Sequence, residues 1–233
     1  MAAPVVVDDV LPVPLFARLA ARFRRPNVEP FQKQSFWCEL GAAPRLAVEQ
    51  AVQRCAEFLP NREVLGCEWF VRIGRVSLGM QWHCDVDLQV LEREKRHVHP
   101  AFSAIVFLDS LGGPTLSVDQ TRCSLDNTAL PLSPVTGTAF MPVANRLVVL
   151  RGDRLHAVAA LDGDDRRRTT FVMHWWPYRL PGPPAPSYDA ALFDELGLVP
   201  DLPAAPSQPA TGLALSDGDL AALRHRGVVP IWR

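Results

Sequence analysis

His83 and Asp85 stand two residues apart, the alternation that puts both side chains on one face of an extended strand and turns Cys84 to the other. Two imidazoles and one carboxylate can hold a metal by one face and leave the opposite face open for substrate and oxygen, an arrangement that suits non-haem Fe(II). The second imidazole must come from a strand that folding brings alongside. His156 fits that role, because it follows the turn Arg151-Gly152-Asp153-Arg154 and begins an apolar strand. Twelve residues on, Arg168 enters another apolar strand with Thr170 on the same face. A buried guanidinium is costly unless an anion meets it. Its planar fork is suited to gripping a carboxylate through two hydrogen bonds. A metal triad with a carboxylate clamp behind it points to a 2-oxo acid cosubstrate.

The other polar residues compete less well for these roles. Asp87 shares the strand parity of Asp85, and solvating the turn or orienting a ligand from outside suits it better. His97 and His99 adjoin the charged stretch Glu92-Arg93-Glu94-Lys95-Arg96, which reads as a solvated loop or lid between Leu91 and Pro100. His174 has the parity of Arg168 and Thr170, so it faces the interior either as a substrate or cosubstrate contact or as a core histidine. Asp119 and Gln120 end a strand toward the open mouth and are candidate substrate contacts. Arg166 and Arg167 read as a solvated hairpin edge, Gly112-Gly113 as a hairpin turn, and Cys84 as packing.

These groups need strands to present them. From Val64 the sequence turns to short β-branched and aromatic runs punctuated by Gly, Pro, Asn and Asp, with strands expected near 67–76, 79–83, 103–109, 114–119, 137–141, 146–150, 155–160 and 168–176. Eight short strands with turns between them suggest a mainly β fold closed as a jelly roll. Helical spacing over Leu15 to Arg25 and Ala43 to Leu59 predicts two supporting N-terminal helices. After Pro177 come the linker-like Pro181 to Pro186 and Ala204 to Pro209, with short helices expected over Tyr188 to Leu198 and Ser216 to Arg226. The division expected is N-terminal helical support over 1–62, a β core over 63–177 and a Pro-rich extension over 178–233 that wraps the core, all in a single domain.

Bulk composition narrows the function. A net charge of −1 offers no general attraction to nucleic acid or an anionic membrane. No apolar run approaches the roughly 18–20 residues of a membrane span. Five scattered cysteines, without a C-x-x-C pair, read as reduced thiols, and the acidic N-terminus is unlike a signal peptide, so a cytoplasmic protein is expected.

With the motifs placed on strands, the segment from about Trp69 to Trp176 resembles the prolyl-4-hydroxylase-like branch of the Fe(II)/2-oxoglutarate dioxygenases. Four stretches carry the resemblance: Gln81 to Asp85, Ser103 to Leu108 with Gly112 to Thr115, Asn145 to Leu150 with Arg154 to Val158, and Arg168 to Trp176. It implies a double-stranded β-helix with Fe(II) on His83, Asp85 and His156. It also implies 2-oxoglutarate chelated through its 2-oxo acid end, its far carboxylate on Arg168 and Thr170. O2 would be the co-reactant, succinate and CO2 the by-products, and ascorbate a candidate stimulant. The implied substrate is a small molecule, amino acid or peptide, with the oligomeric state open. Two departures stand out. Asp162-Gly163-Asp164-Asp165 enlarges the turn before Arg168, and no tyrosine precedes residue 178, where the branch often places one against 2-oxoglutarate. A zinc hydrolase or isomerase on the same triad would have no use for Arg168, and a non-catalytic binding or sensor module would not need the ligands intact. A halogenase would need the carboxylate position vacated, and Asp85 fills it.

Overall fold

The computed structural model describes residues 3–25, 28, 31–32, 34–61, 63–122, 129–180, 193–204 and 207–225. The chain begins with β1 (Val5–Asp8), α1 (Val13–Phe23), β2 (Phe36–Glu39) and α2 (Ala47–Ala56). It continues through β3 (Gly66–Arg75), β4 (Met80–His83), α3 (Leu88–Glu94), β5 (Phe102–Phe107), β6 (Thr115–Arg122) and the two-residue β7 (Ala129–Leu130). Then come β8 (Gly137–Phe140), β9 (Leu147–Arg151), β10 (Arg154–Val158) and β11 (Arg167–Trp176). A 3-10 turn at Asp194–Leu196, the short β12 (Gln208–Pro209) and β13 (Leu213–Ala214), and α4 (Asp217–His225) complete it.

All eight expected strands are present, and they form two antiparallel sheets. The larger runs β12-β1-β9-β5-β11-β3-β2; the smaller runs β13-β8-β6-β10-β4, with β7 paired to β6. Between β3 and β11 the chain passes back and forth between the sheets, the interleaving of a double-stranded β-helix. One expectation changes. Gly112-Gly113 is not a hairpin turn, because β5 pairs with β9 and β11 while β6 pairs with β8 and β10. The two glycines instead carry the chain from one sheet to the other. Gly112 has a φ of +93°, and a Cβ on Gly113 would meet the Ala159 carbonyl oxygen at 2.3 Å, so a side chain at either position would strain the crossing.

Strand alternation gives each sheet one face for packing and one for chemistry. On the larger sheet Trp69, Val71, Phe171, Met173 and Trp175 point outward into a core shared with Leu15, Leu19 and Phe23 of α1 and Val48 and Val52 of α2. The α1 stripe is the one read from the sequence. α2 starts later than expected, at Ala47, where the Glu49 carboxylate accepts from the main-chain N–H groups of Arg45 and Leu46 at 2.6 and 3.2 Å. On the smaller sheet Trp82, Cys84, Val118 and Leu155 point outward and pack under Leu215 and Leu220. That covering segment also extends both sheets, β12 beside β1 and β13 beside β8. As expected, Ser216 caps α4, its Oγ accepting from the Asp219 N–H at 3.2 Å.

The charged stretch after the metal motif departs from the solvated loop expected of it. It lies largely in α3, capped by Asp87, whose Oδ1 accepts from the N–H groups of Gln89 and Val90 at 2.9 and 3.1 Å. Pro181 to Pro186 and Val228 to Trp232 lie outside the described residues, as do Cys123 and residues 188–192 of the expected Tyr188–Leu198 helix, whose described remainder forms only the 3-10 turn at Asp194–Leu196. The other four cysteines are buried and form no disulfide among the described residues. No described helix is long and apolar enough to cross a membrane.

Candidate metal centre

β4 and β10 are neighbours in the smaller sheet, and His83 sits directly opposite His156. Their ring centroids are 4.2 Å apart. Each ring is oriented by its own strand: His83 Nδ1 lies 2.8 Å from the Gln81 carbonyl oxygen, and His156 Nδ1 lies 2.9 Å from that of Arg154. An Nδ1–H donating to a carbonyl leaves Nε2 as the lone-pair nitrogen, so both imidazoles present a ligand atom to the same space. Asp85 completes the face, with Oδ1 3.8 Å from His83 Nε2 and Oδ2 3.6 Å from His156 Nε2. The three ligand atoms lie within 4.8 Å of one another. Ligands on one ion stand roughly 3–3.5 Å apart, so small side-chain adjustments would close the site around a metal.

The protonation states suit a cation. Burial, then the neighbouring His156, pushes His83 down to about 4, so the ring is neutral at physiological pH. Burial alone would raise Asp85, but His174, His156 and His83 outweigh it and hold the carboxyl well below its ordinary range. Neutral imidazoles and an ionised carboxylate are the forms in which these side chains bind metal.

Behind Asp85 stands a second layer. His174 is buried on β11 with Nε2 3.4 Å from Asp85 Oδ2 and Nδ1 3.5 Å from Glu68 Oε2. The Ser35 hydroxyl donates to Glu68 Oε1 at 2.5 Å, fixing the acid in turn. Burial would lower the His174 imidazole, but Asp85 and Glu68 outweigh it and push it up to about 10. On the main-chain side, His99 Nδ1 lies 2.7 Å from the Asp85 carbonyl oxygen. His174, read from the sequence as a candidate substrate contact, is thus placed against a ligand and its supporting acid.

The clamp expected at Arg168 occupies the inner face of the larger sheet. Its guanidinium donates to the Gly113 carbonyl oxygen at 2.9 Å and to Thr115 Oγ1 at 3.0 Å, and lies 5.0 Å over the ring of Phe107. It is buried, yet among the described residues no carboxylate lies within ion-pair distance. Burial, opposed by Asp109 and reinforced by Arg72, pushes it down to about 10. Arg166 is instead exposed and paired with Asp164 at 2.7 Å, and Arg167 is exposed. Thr170 is buried beside Arg168, its hydroxyl donating to the Arg72 carbonyl oxygen at 3.4 Å. Arg168, Thr170, Arg72, Gly79, Gly112 and Gly113 are among the residues lining a small cavity that opens to solvent.

The remaining candidates are committed to structure. Asp119 accepts from the N–H groups of Val135 and Thr136 at 3.0 and 3.1 Å, and Gln120 donates to the Pro131 carbonyl oxygen at 2.8 Å. Both brace the loop before β8. The residues missed from the sequence are Glu68 and Arg72. Their signal was present: both alternate with the core residues Trp69 and Val71, so a polar side chain at either position faces the inter-sheet space.

No protein-family model matches the chain, and no curated protein matches it. Among solved structures it is similar to a Pseudomonas putida prolyl-4-hydroxylase, at 19% identity and a TM-score of 0.48 over 76% of this chain and 88% of that one. It is also similar to HygX from Streptomyces hygroscopicus with nickel and 2-oxoglutarate bound, at 12% identity and a TM-score of 0.47 over 80% and 92% of the two chains. A third is a Trichoplax adhaerens prolyl hydroxylase in complex with a hypoxia inducible factor oxygen degradation domain peptide fragment, at 12% identity and a TM-score of 0.43 over 75% and 83%.

Proposed function

We propose that the protein is an Fe(II)- and 2-oxoglutarate-dependent dioxygenase that hydroxylates an unactivated C–H bond of a small molecule, amino acid or peptide. One observation carries the reading. The same inter-sheet space holds a two-histidine, one-carboxylate face and a buried arginine with no carboxylate within ion-pair distance among the described residues. A structural zinc would explain the first feature and not the second.

The donor set fits Fe(II), held by His83 Nε2, His156 Nε2 and one Asp85 oxygen, with positions left for other ligands. Fe(II) bound there would couple oxidative decarboxylation of 2-oxoglutarate by O2, giving succinate and CO2, to transfer of the other oxygen atom into a substrate C–H bond. The protein supplies placement. His174 holds the second Asp85 oxygen, Arg168 with Thr170 takes the far carboxylate of 2-oxoglutarate, and the glycines around the cavity let the main chain approach without filling it. Asp85 keeps the carboxylate position occupied, which favours oxygen over halide in the product. Buried cysteines without a disulfide among the described residues suit a reducing cytoplasm, and ascorbate, which keeps iron reduced, is a reasonable assay additive.

The test uses purified protein loaded anaerobically with Fe(II). Adding 2-oxoglutarate should produce a visible metal-to-ligand charge-transfer band, and admitting O2 should release succinate. Metal binding that is indifferent to 2-oxoglutarate would overturn the reading.

A further inference from the structure

We infer that Arg72 is a second carboxylate-binding residue of the cavity, gripping the carboxylate nearest the metal while Arg168 takes the far one. The inference rests on the 2-oxo acid reading above and adds a contact to it. Strand register places the residue. Arg72 pairs with Thr170 across β3 and β11, and its strand neighbours Trp69 and Val71 point into the outer core, so Arg72 points between the sheets. It lines the same cavity as Arg168 and Thr170 and is exposed at its mouth, where a ligand can reach it. Among the described residues, no carboxylate lies within ion-pair distance of Arg72.

The position is intermediate. The inner face of β11 runs Arg168, Thr170, Val172 and His174, and Arg72 sits opposite Thr170, between Arg168 and the His174 that touches Asp85. A 2-oxo acid chelated at His83, Asp85 and His156 would carry one carboxylate beside the metal and, if it is a diacid, another toward Arg168. Two guanidinium groups turned into one cavity repel each other, and a bound dianion removes that repulsion. An arginine with only a solvation role would more simply point away from a second cation. With no tyrosine before residue 178, no phenol on these strands competes for the contact.

The experiment compares two ligands on Mn(II)-loaded protein without turnover: 2-oxoglutarate, a diacid, and 2-oxobutyrate, which keeps the 2-oxo acid end and lacks the far carboxylate. Arg72→Gln should weaken both by about tenfold, since both keep the near carboxylate, while Arg168→Gln should weaken only 2-oxoglutarate. Arg72→Lys, which keeps the charge and loses the fork, should recover part of the loss, and thermal melts of each variant check the fold. Unchanged affinities in Arg72→Gln, or a loss confined to 2-oxoglutarate, would overturn the assignment while leaving the dioxygenase reading standing. Wild-type protein that binds neither acid sinks both.

Discussion

The two ends of the inter-sheet space are charged by opposite rules. At the metal end every charge has a counterpart: Asp85 lies among three imidazoles, and His174 is held between Asp85 and Glu68. At the other end Arg168 and Arg72 face the cavity with no carboxylate in reach among the described residues. The balanced end is pre-organised, with rings fixed by main-chain carbonyls before any ion arrives. The other end gathers two cations, opposed in part by Asp109, whose charge a small anion would balance further. A site that keeps its own charges paired at the candidate metal face, and leaves cations without an ion-pair partner where a small anion could be captured, would separate reaction from recognition between the two sheets.

Removing parts from each end tests that contrast. His156→Ala or His83→Ala should abolish stoichiometric Fe(II) binding, because two remaining ligands compete poorly with water; unchanged metal content in both would remove the premise. His174→Gln comes next, with a loss of about 10–100-fold in Co(II) affinity and an altered Co(II) absorption spectrum, as expected when a metal ligand loses its orienting partner. The affinity loss should exceed what Glu68→Gln produces, since that residue acts one step further out. Arg168→Ala should show the inverse pattern, raising the 2-oxoglutarate requirement at least about tenfold with Fe(II) affinity near wild type. A matching loss of iron would mean that the two ends are not separable. Smallest of all, Arg166→Ala and Arg167→Ala should shift 2-oxoglutarate binding less than about twofold, because their exposed charges are screened by solvent.

Sequence carried the alternation-based parts of this picture and missed those that depend on register. Eight strands, the inward pair His83 and Asp85, and the choice of Arg168 over its two neighbours all follow from period-two patterning within one segment. The Glu68–His174 pair does not, because residues 106 positions apart meet only once β3 and β11 are aligned. β1, β2, β12 and β13 are two to four residues long and take their order from distant partners, so they leave too short a pattern to read. α3 was hidden by its charge: with Val90 its one buried residue, it rests on the Asp87 cap rather than on an apolar stripe. The sheet crossing at Gly112-Gly113 resembles a hairpin locally, and only the pairing of the flanking strands separates the two.

The placement of β1 also fixes an order of assembly. It is held between β9 and β12, with Val5 aligned to Val149 and Val7 to Pro209. β1 is synthesised before both of its neighbours, which follow about 140 and 200 residues later in the chain. Non-local pairings of this kind close late and slowly, because the loop entropy falls due before the contacts form. The nascent chain therefore emerges with a Val-rich segment, Val5-Val6-Val7, that has no place to dock while the metal-binding strands are being made. Such a segment is a natural client for a chaperone during synthesis.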